Sequence, residues 1–273
     1  MRLATHGRYI VEAATGKPLL LRGVNISGME YSKDPHAGMT PGEFRHVIED
    51  WNCDIVRIPF VQSRVEDPAY VDELRQIVRW LWKLGAFSIL DLQWLDPASG
   101  VPPEPNLRSI DCWDTLARSF HDQPHVIFDL LNEPHDTAPE TWLDWANLLT
   151  GVVRAIDPER VVMIGGMNWA YDLEHIHLNL PNVIYSTHVY RNKGQRWDRA
   201  FGNKAQHLPV FAGEFGGHDE DLDWGRELLD YFDQRQMGWT AWSWRDKPHL
   251  QHNLSPTAFG DLVRTRLKSP TQT

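Results

Sequence analysis

The stretch DIVRIPFVQSRVEDPAYVDELRQIVRWLWKLGAFSILDL, residues 54–92, decides which fold the chain can adopt. Asp54 to Phe60 is a short β-branched run, too brief for a helix, and it halts at Pro59, where an interior strand would lack a ladder N–H. Val71, Leu74, Val78 and Leu81 then recur at helical spacing until Gly85, which can end a helix by turning left-handed. Phe87 to Leu92 is again an apolar strand, so the stretch spells strand, helix, strand. The unit repeats downstream. Trp113, Leu116, Ala117 and Phe120 mark a helix before the strand Val126 to Leu131; Trp142, Trp145, Leu149, Val152 and Ile156 mark one before Val161 to Ile164. Val183 to Val189, Pro209 to Ala212 and Trp239 to Trp244 read as further strands, with Leu222, Leu228, Leu229 and Phe232 on a helix and Phe259, Leu262 and Val263 closing the chain. Upstream, Thr40-Pro41-Gly42-Glu43 is a capping box opening a helix with Phe44, Val47, Ile48 and Trp51. Before it come a strand from Leu19 to Asn25 and a hairpin of Arg8 to Glu12 and Pro18 to Leu21, turning at Ala14-Thr15-Gly16-Lys17.

Counted from Leu19, eight strands alternate with helices, and near-continuous apolar strands imply burial on both faces. The expected fold is α/β: a (β/α)8 barrel with a short N-terminal β-hairpin, residues 1–273 forming a single domain because no linker or low-complexity stretch divides them. An open doubly wound sheet is the competitor; no Gly-x-Gly-x-x-Gly turn follows the first strand to support it.

Lys and Arg number 27 against 37 Asp and Glu, a net charge of −10 that repels polyanions and anionic bilayers. Neither nucleic acid nor membrane is expected as a partner, and a monomer is expected. No apolar run approaches the roughly 20 residues of a membrane span, and no apolar leader follows Met1-Arg2. The chain reads as cytoplasmic as written, or as secreted if a signal has been removed ahead of it. Cys53 and Cys112 are too few for a disulfide framework or a Cys-rich zinc site; one optional bridge stays open, and thiols that are inert or lie at the surface are expected. The 13 Trp stand out, since flat apolar faces with one donor suit sugar rings.

In such a barrel, chemistry collects where strands end, and these ends are polar and aromatic: Asn25, Arg57, Gln93 with Trp94, Asn132 with Glu133, Asn168 with Trp169, His188 with Tyr190, Glu214, and Trp242 with Trp244. Glu133 and Glu214, ending the fourth and seventh strands, should face one cleft. Two carboxyls in different environments are what glycoside hydrolysis needs, one protonated to assist the leaving oxygen and one ionised to attack the anomeric carbon, and Arg57 could keep the second ionised. The competing account makes both acids structural partners of Arg57; it leaves the convergence of Asn, His, Tyr and Trp unexplained.

Asn132-Glu133-Pro134, Gly213-Glu214-Phe215-Gly216 and Leu21-Arg22-Gly23-Val24-Asn25, in order with Arg57, His188-Val189-Tyr190 and Trp242, resemble glycoside hydrolase family 5 over almost the whole chain. The resemblance implies Glu133 as acid/base and Glu214 as nucleophile. It further implies that Arg57 and Tyr190 orient and ionise Glu214, that Asn132 bonds the sugar 2-hydroxyl, that His188 supports Glu133, and that Trp242 floors the cleaved subsite. It implies no metal or organic cofactor. Gln93 departs from the family, which usually carries His there; Gln keeps a donor and an acceptor but cannot become charged, so the departure bears on substrate preference.

Trp94, Trp169, Trp197 and Trp244 are candidate sugar platforms at strand ends, Trp169 foremost, whereas Trp51, Trp80, Trp82, Trp142, Trp145 and Trp224 lie on helices and should pack the core, as should Trp239; Trp113 is open. His175 with His177 and His249 with His252 lack a patterned acid or Cys and read as solvated or capping residues, not metal ligands. Asp91 and Asp129, inside strands, read as structural. The expected activity is a retaining, endo-acting β-glycosidase on a β-1,4-linked glucan, the substrate being a β-linked oligo- or polysaccharide. The alternatives are a β-mannanase or another β-glycan hydrolase of the same mechanism, a carbohydrate-binding barrel with impaired catalysis, and a metal-dependent barrel hydrolase, for which the strand ends lack clustered His and Asp.

Overall fold

Side chains alternate between the two faces of a strand, so a closed sheet sorts every second residue to its interior. The computed structural model describes residues 1–29 and 40–270. Strands β1 (Leu3–His6) and β2 (Tyr9–Glu12) make an antiparallel hairpin that turns at Gly7, whose φ of +56° suits glycine. Eight parallel strands then close a barrel: β3 (Arg22–Asn25), β4 (Ile55–Val61), β5 (Phe87–Trp94), β6 (Val126–Asp129), β7 (Val162–Gly165), β8 (Val183–Val189), β9 (Val210–Phe215) and β10 (Gly238–Ala241), the last bonded to both β9 and β3. Outside lie α1 (Pro41–Arg45), α2 (Pro68–Lys83), α3 (Arg108–Ser119), α4 (Pro139–Ile156), α5 (Leu222–Gln234) and α6 (Ala258–Lys268). The expected capping box is formed at Thr40 and Glu43.

The alternation divides the interior by height. Ile55, Ile89, Ile127 and Phe211 cluster with Leu3 and Ile10 of the hairpin, which plugs the N-terminal end of the barrel. Two residues further along, the same strand faces carry Arg57, Asp91, Asp129 and Gly213. The intervening residues Val56, Leu90 and Phe128 join the helix-side core. The barrel is thus apolar at its base and charged towards the C-terminal ends of its strands, where parallel barrels keep their chemistry.

Two bulges re-aim residues at that upper end. On β9, Ala212 pairs with Thr187 but Glu214 with His188, leaving Gly213 as an extra residue. Strict alternation from Phe211 would send Glu214 towards the helices; the extra residue turns it into the barrel. Glycine keeps the site open there, since a Cβ on Gly213 would lie 2.3 Å from Ser186 Oγ and 3.0 Å from His188 Nε2 and would displace one or both. On β5, Phe60 faces Leu92 while Val61 faces Trp94, so Gln93 is the extra residue.

Several local expectations are corrected. The hairpin lies between β1 and β2; the chain does turn at Gly16, but beyond it only Pro18 bridges to Val11, because proline has no N–H to extend a ladder. Strand β4 continues through Pro59 to Val61. Arg57 O accepts from Ile26 N, so Pro59, two residues on, turns its missing N–H to the same side, beyond the end of β3 at Asn25. Between β7 and β8 there is no helix among the described residues. Left-handed backbone at Asn168, Trp169, Ala170 and Asn182, together with Pro181, interrupts any helical run there, and Leu173, Ile176 and Leu178 are buried without one. Between β8 and β9 lie only single turns at Arg191–Lys193, Asp198–Gly202 and Lys204–Gln206. Trp244 and Trp197 are not sugar platforms: Trp244 is buried edge-on against Trp51 and Trp197 against Tyr231, and Trp113 is buried too. Cys53 and Cys112 are buried free thiols, and burial pushes both up. No described helix is long and apolar enough to cross a membrane.

Candidate active site

Arg57, completely buried, is the hub of the upper barrel. Its Nη1 donates to Glu214 Oε1 at 2.8 Å and to Asn25 Oδ1 at 3.0 Å; Nε and Nη2 donate to Asp129 Oδ2 at 3.0 and 2.9 Å, and Nη2 also to Asn132 Oδ1 at 2.9 Å. Asp91 Oδ1 lies 2.9 Å from Nη2. Asn25 is fixed in turn, its Nδ2 donating to Gly213 O and Thr240 O. A guanidinium suits this task because its planar fork serves several acceptors at once and stays charged when buried.

Glu214 has both oxygens engaged, since Tyr190 OH donates to Oε2 at 2.9 Å. Burial pushes its carboxyl up, while Arg57 and the Tyr190 bond pull it back towards the ionised form. Glu133, after β6, meets a different environment. His188 Nδ1 lies 3.0 Å from its Oε1, and burial pushes the carboxyl up to about 7, with Lys193 and Arg57 opposing. Burial pushes His188 down to about 3, so the ring is neutral and donates from Nδ1 when Glu133 is ionised. One carboxyl is thus poised to hold a proton near neutrality and the other is held by two donors.

Asn132 Oδ1 is tied to Arg57, which leaves its buried Nδ2 without a partner among the described residues and able to donate to a ligand. Gln93 is buried, and its carbonyl oxygen has no partner among the described residues. Trp242 is buried at 7% exposure, its Nε1 donating to Lys247 O. Trp94 is half-buried at the end of β5. Trp169 is 37% exposed, stacks on His135 at 4.5 Å and 12°, and has Lys193 Nζ 4.7 Å from its ring centre. It occupies three consecutive left-handed residues, Asn168 to Ala170, each costing on the order of 1 kcal/mol. Backbone bonds between Met167 and Asp172 and a side-chain bond from Lys193 Nζ to Asn168 O hold them. A cleft of about 640 Å³ runs past Glu133, Trp169, Tyr190, Lys193 and His218, a volume suited to a small ligand.

The fold therefore gathers these residues into one site, with Arg57, Asn132, Tyr190 and Glu214 hydrogen-bonded together and His188 bonded beside them to Glu133. Asp91, Asp129 and Lys193 were not assigned to it from the sequence. Ile89-x-Asp91 and Ile127-x-Asp129 carried the signal, with the period of two that places Arg57 after Ile55. Glu133, His188 and Glu214 also place one ligand atom each within 4.8 Å of one another, a cluster not expected at the strand ends. Those atoms are already committed: His188 Nδ1 to Glu133, and the Glu214 oxygens to Arg57 and Tyr190. The guanidinium supplies the positive charge there. His249 and His252 stand 4.8 Å apart, and His177 stacks on Tyr185.

The chain is 27% identical to endoglucanase MaCel5A of Microbulbifer sp. (strain ALW1) over 272 residues, covering 89% of this chain and 52% of that protein. It is 23% identical to endoglucanase N of Pectobacterium atrosepticum, covering 93% and 61%. It thus spans between half and two thirds of the length of these curated relatives. Among solved structures, the β-glucanase SdGluc5_26A of Saccharophagus degradans, in complex with cellotetraose, superposes with a TM-score of 0.84 at 21% identity, covering 97% of this chain and 92% of that one. The catalytic domain of Thermobifida fusca endoglucanase Cel5A (E5) gives 0.83 at 20% identity, covering 98% and 97%. Those structural likenesses establish the fold. The family model for cellulase (glycosyl hydrolase family 5) matches residues 13–248, and the chain belongs to that family.

Proposed function

We propose that residues 1–273 form one catalytic unit, a retaining, endo-acting β-1,4-glucan hydrolase with Glu214 as nucleophile and Glu133 as acid/base. The observation that carries the reading is the carboxyl pair: one oxygen of each lies within 4.8 Å, with Glu214 held by two donors, Arg57 and Tyr190, and Glu133 pushed by burial to about 7. Direct attack needs carboxyls about 5 to 5.5 Å apart, whereas inversion leaves roughly 6.5 to 9.5 Å for a water.

In the first step a Glu214 oxygen bonds to the anomeric carbon as the glycosidic C–O bond breaks, and the Glu133 proton passes to the departing oxygen. Glu133, now ionised, accepts a proton from water; the water oxygen bonds to the anomeric carbon, and Glu214 leaves as carboxylate. His188 and Lys193 ease the charge Glu133 acquires between the steps. The free Nδ2 of Asn132 serves the 2-hydroxyl beside Glu214, Gln93 and Trp94 contact sugar near the cleaved bond, Trp242 lies beneath it, and Trp169 borders the leaving-group side next to Glu133. The step draws on no cofactor.

The glucan and the endo mode are supported by family membership and by relatives named endoglucanases. The test is product analysis on carboxymethyl cellulose, mixed-linkage glucan, xyloglucan, mannan and laminarin, with Glu133→Ala and Glu214→Ala in parallel. Oligosaccharides from a β-1,4-glucan, absent in both variants, support the assignment. Oligosaccharides from mannan alone would replace the substrate and keep the mechanism, and product from either variant at the wild-type rate would overturn the roles.

A further inference from the structure

Three carboxylates compete for Arg57. Asp91 and Asp129 are register partners on β5 and β6, both completely buried, and Glu214 reaches the same guanidinium from β9. Fully ionised, they would set three negative charges against one positive charge where water is excluded, with Glu133 adjacent. Carboxyls crowded this way retain a proton. The hydrogen bonds say where. Asp129 Oδ2 accepts two guanidinium N–H groups, and Glu214 accepts one from Arg57 and one from Tyr190. Among the described residues neither oxygen of Asp91 accepts a hydrogen bond, although Oδ1 lies 2.9 Å from Nη2. Its anion is the least supported of the three.

We propose that Asp91 is a positioning residue held as the neutral acid, so that Asp129 and Glu214 divide the charge of Arg57 and the nucleophile stays ionised. The groups that face Asp91 are Arg57 on β4, Asp129 on β6, Glu133 beyond it and Glu214 on β9; all but Arg57 disfavour an Asp91 anion. Burial pushes both Asp91 and Asp129 above the usual carboxylate range, but only Asp129 accepts guanidinium N–H groups that oppose the rise, which leaves the retained proton on Asp91. The functional consequence rests on Glu214 being the nucleophile; the protonation state itself does not.

Infrared difference spectroscopy of Asp91→Asn against wild type at neutral pH reads the protonation directly. The expected result is loss of a carboxylic-acid C=O band that shifts in D2O, with no loss of carboxylate bands; loss of carboxylate intensity instead would overturn the proposal. The pH dependence of kcat/KM gives a second reading with Asp129→Asn as counterpart. Removing the charged neighbour should move the acid limb of Glu214 to lower pH, whereas Asp91→Asn should leave that limb in place. Movement in Asp91→Asn, or in both variants, would overturn the assignment. A protein inactive on every glucan would refute the proposed function but leave the infrared result decisive for Asp91.

Discussion

Replacing Tyr190 by Phe deletes one hydroxyl and leaves the other support of Glu214 untouched. The lost bond, Tyr190 OH to Glu214 Oε2 at 2.9 Å, is partly buried and charge-assisted. Hydrogen bonds to charged groups contribute about 1.5 to 3 kcal/mol, and 1.36 kcal/mol is a factor of ten in rate. If the whole contribution is felt at the attacking carboxylate, kcat/KM falls by roughly 10- to 150-fold. The sign on pH follows from the same bond: the donor favours the ionised form, so its loss raises the Glu214 pKa and moves the acid limb of kcat/KM to higher pH. Arg57 still holds Oε1 at 2.8 Å, so activity survives. The assay is kcat/KM on a soluble cello-oligosaccharide across pH, with urea unfolding to establish that the variant is folded. A folded Tyr190→Phe enzyme with wild-type kcat/KM and an unmoved acid limb would refute the reasoning.

Other outcomes follow from the same geometry. Glu133 rises in the folded state from 4.5 to about 7, so wild type is fully stabilised below about 4.5 and loses stability as pH climbs towards 7; the product of shift and 1.36 kcal/mol per unit is about 3 kcal/mol. Glu133→Gln does not titrate, so urea unfolding at pH 4.5 and 7.5 should show the variant gaining on wild type at the higher pH, and a constant difference would count against the burial argument. Gly213→Ala places a methyl 2.3 Å from Ser186 Oγ and 3.0 Å from His188 Nε2, so turnover should fall on the order of a hundredfold as the site is displaced; unchanged turnover would mean the bulge tolerates a side chain. Gln93→His should keep the fold and change kcat/KM unequally across glucan, mixed-linkage glucan and mannan; equal ratios on all three would remove Gln93 from the substrate contacts.

The sequence announced the barrel because its signal is periodic: residues 54–92 alternate strand and helix patterns, and each strand is short, apolar and bounded. It erred where one residue decides. Pro59 looked like a terminator and is tolerated because β3 stops short of it. Trp197 and Trp244 sit beyond strand ends like Trp242, yet pack into the core, since which way a ring turns depends on loop backbone that periodicity does not encode. Glu133 and Glu214 were legible as acids ending strands. Their pairing in one cleft depends on the extra Gly213, which a strict alternation would not supply. Asp91 and Asp129 read as structural because an acid inside a strand can point into the barrel or bond backbone; that they share Arg57 with Glu214 follows only from the register of adjacent strands.

The account stands most directly on Glu214 as the residue that bonds to sugar. A 2-deoxy-2-fluoro cellobioside with an activated leaving group slows release of the glycosyl-enzyme, and mass spectrometry of the digested protein then locates the label. One disaccharide adduct is expected on the peptide containing Glu214, abolished in Glu214→Gln. An adduct on Glu133, or turnover with inverted product and no adduct, would contradict it.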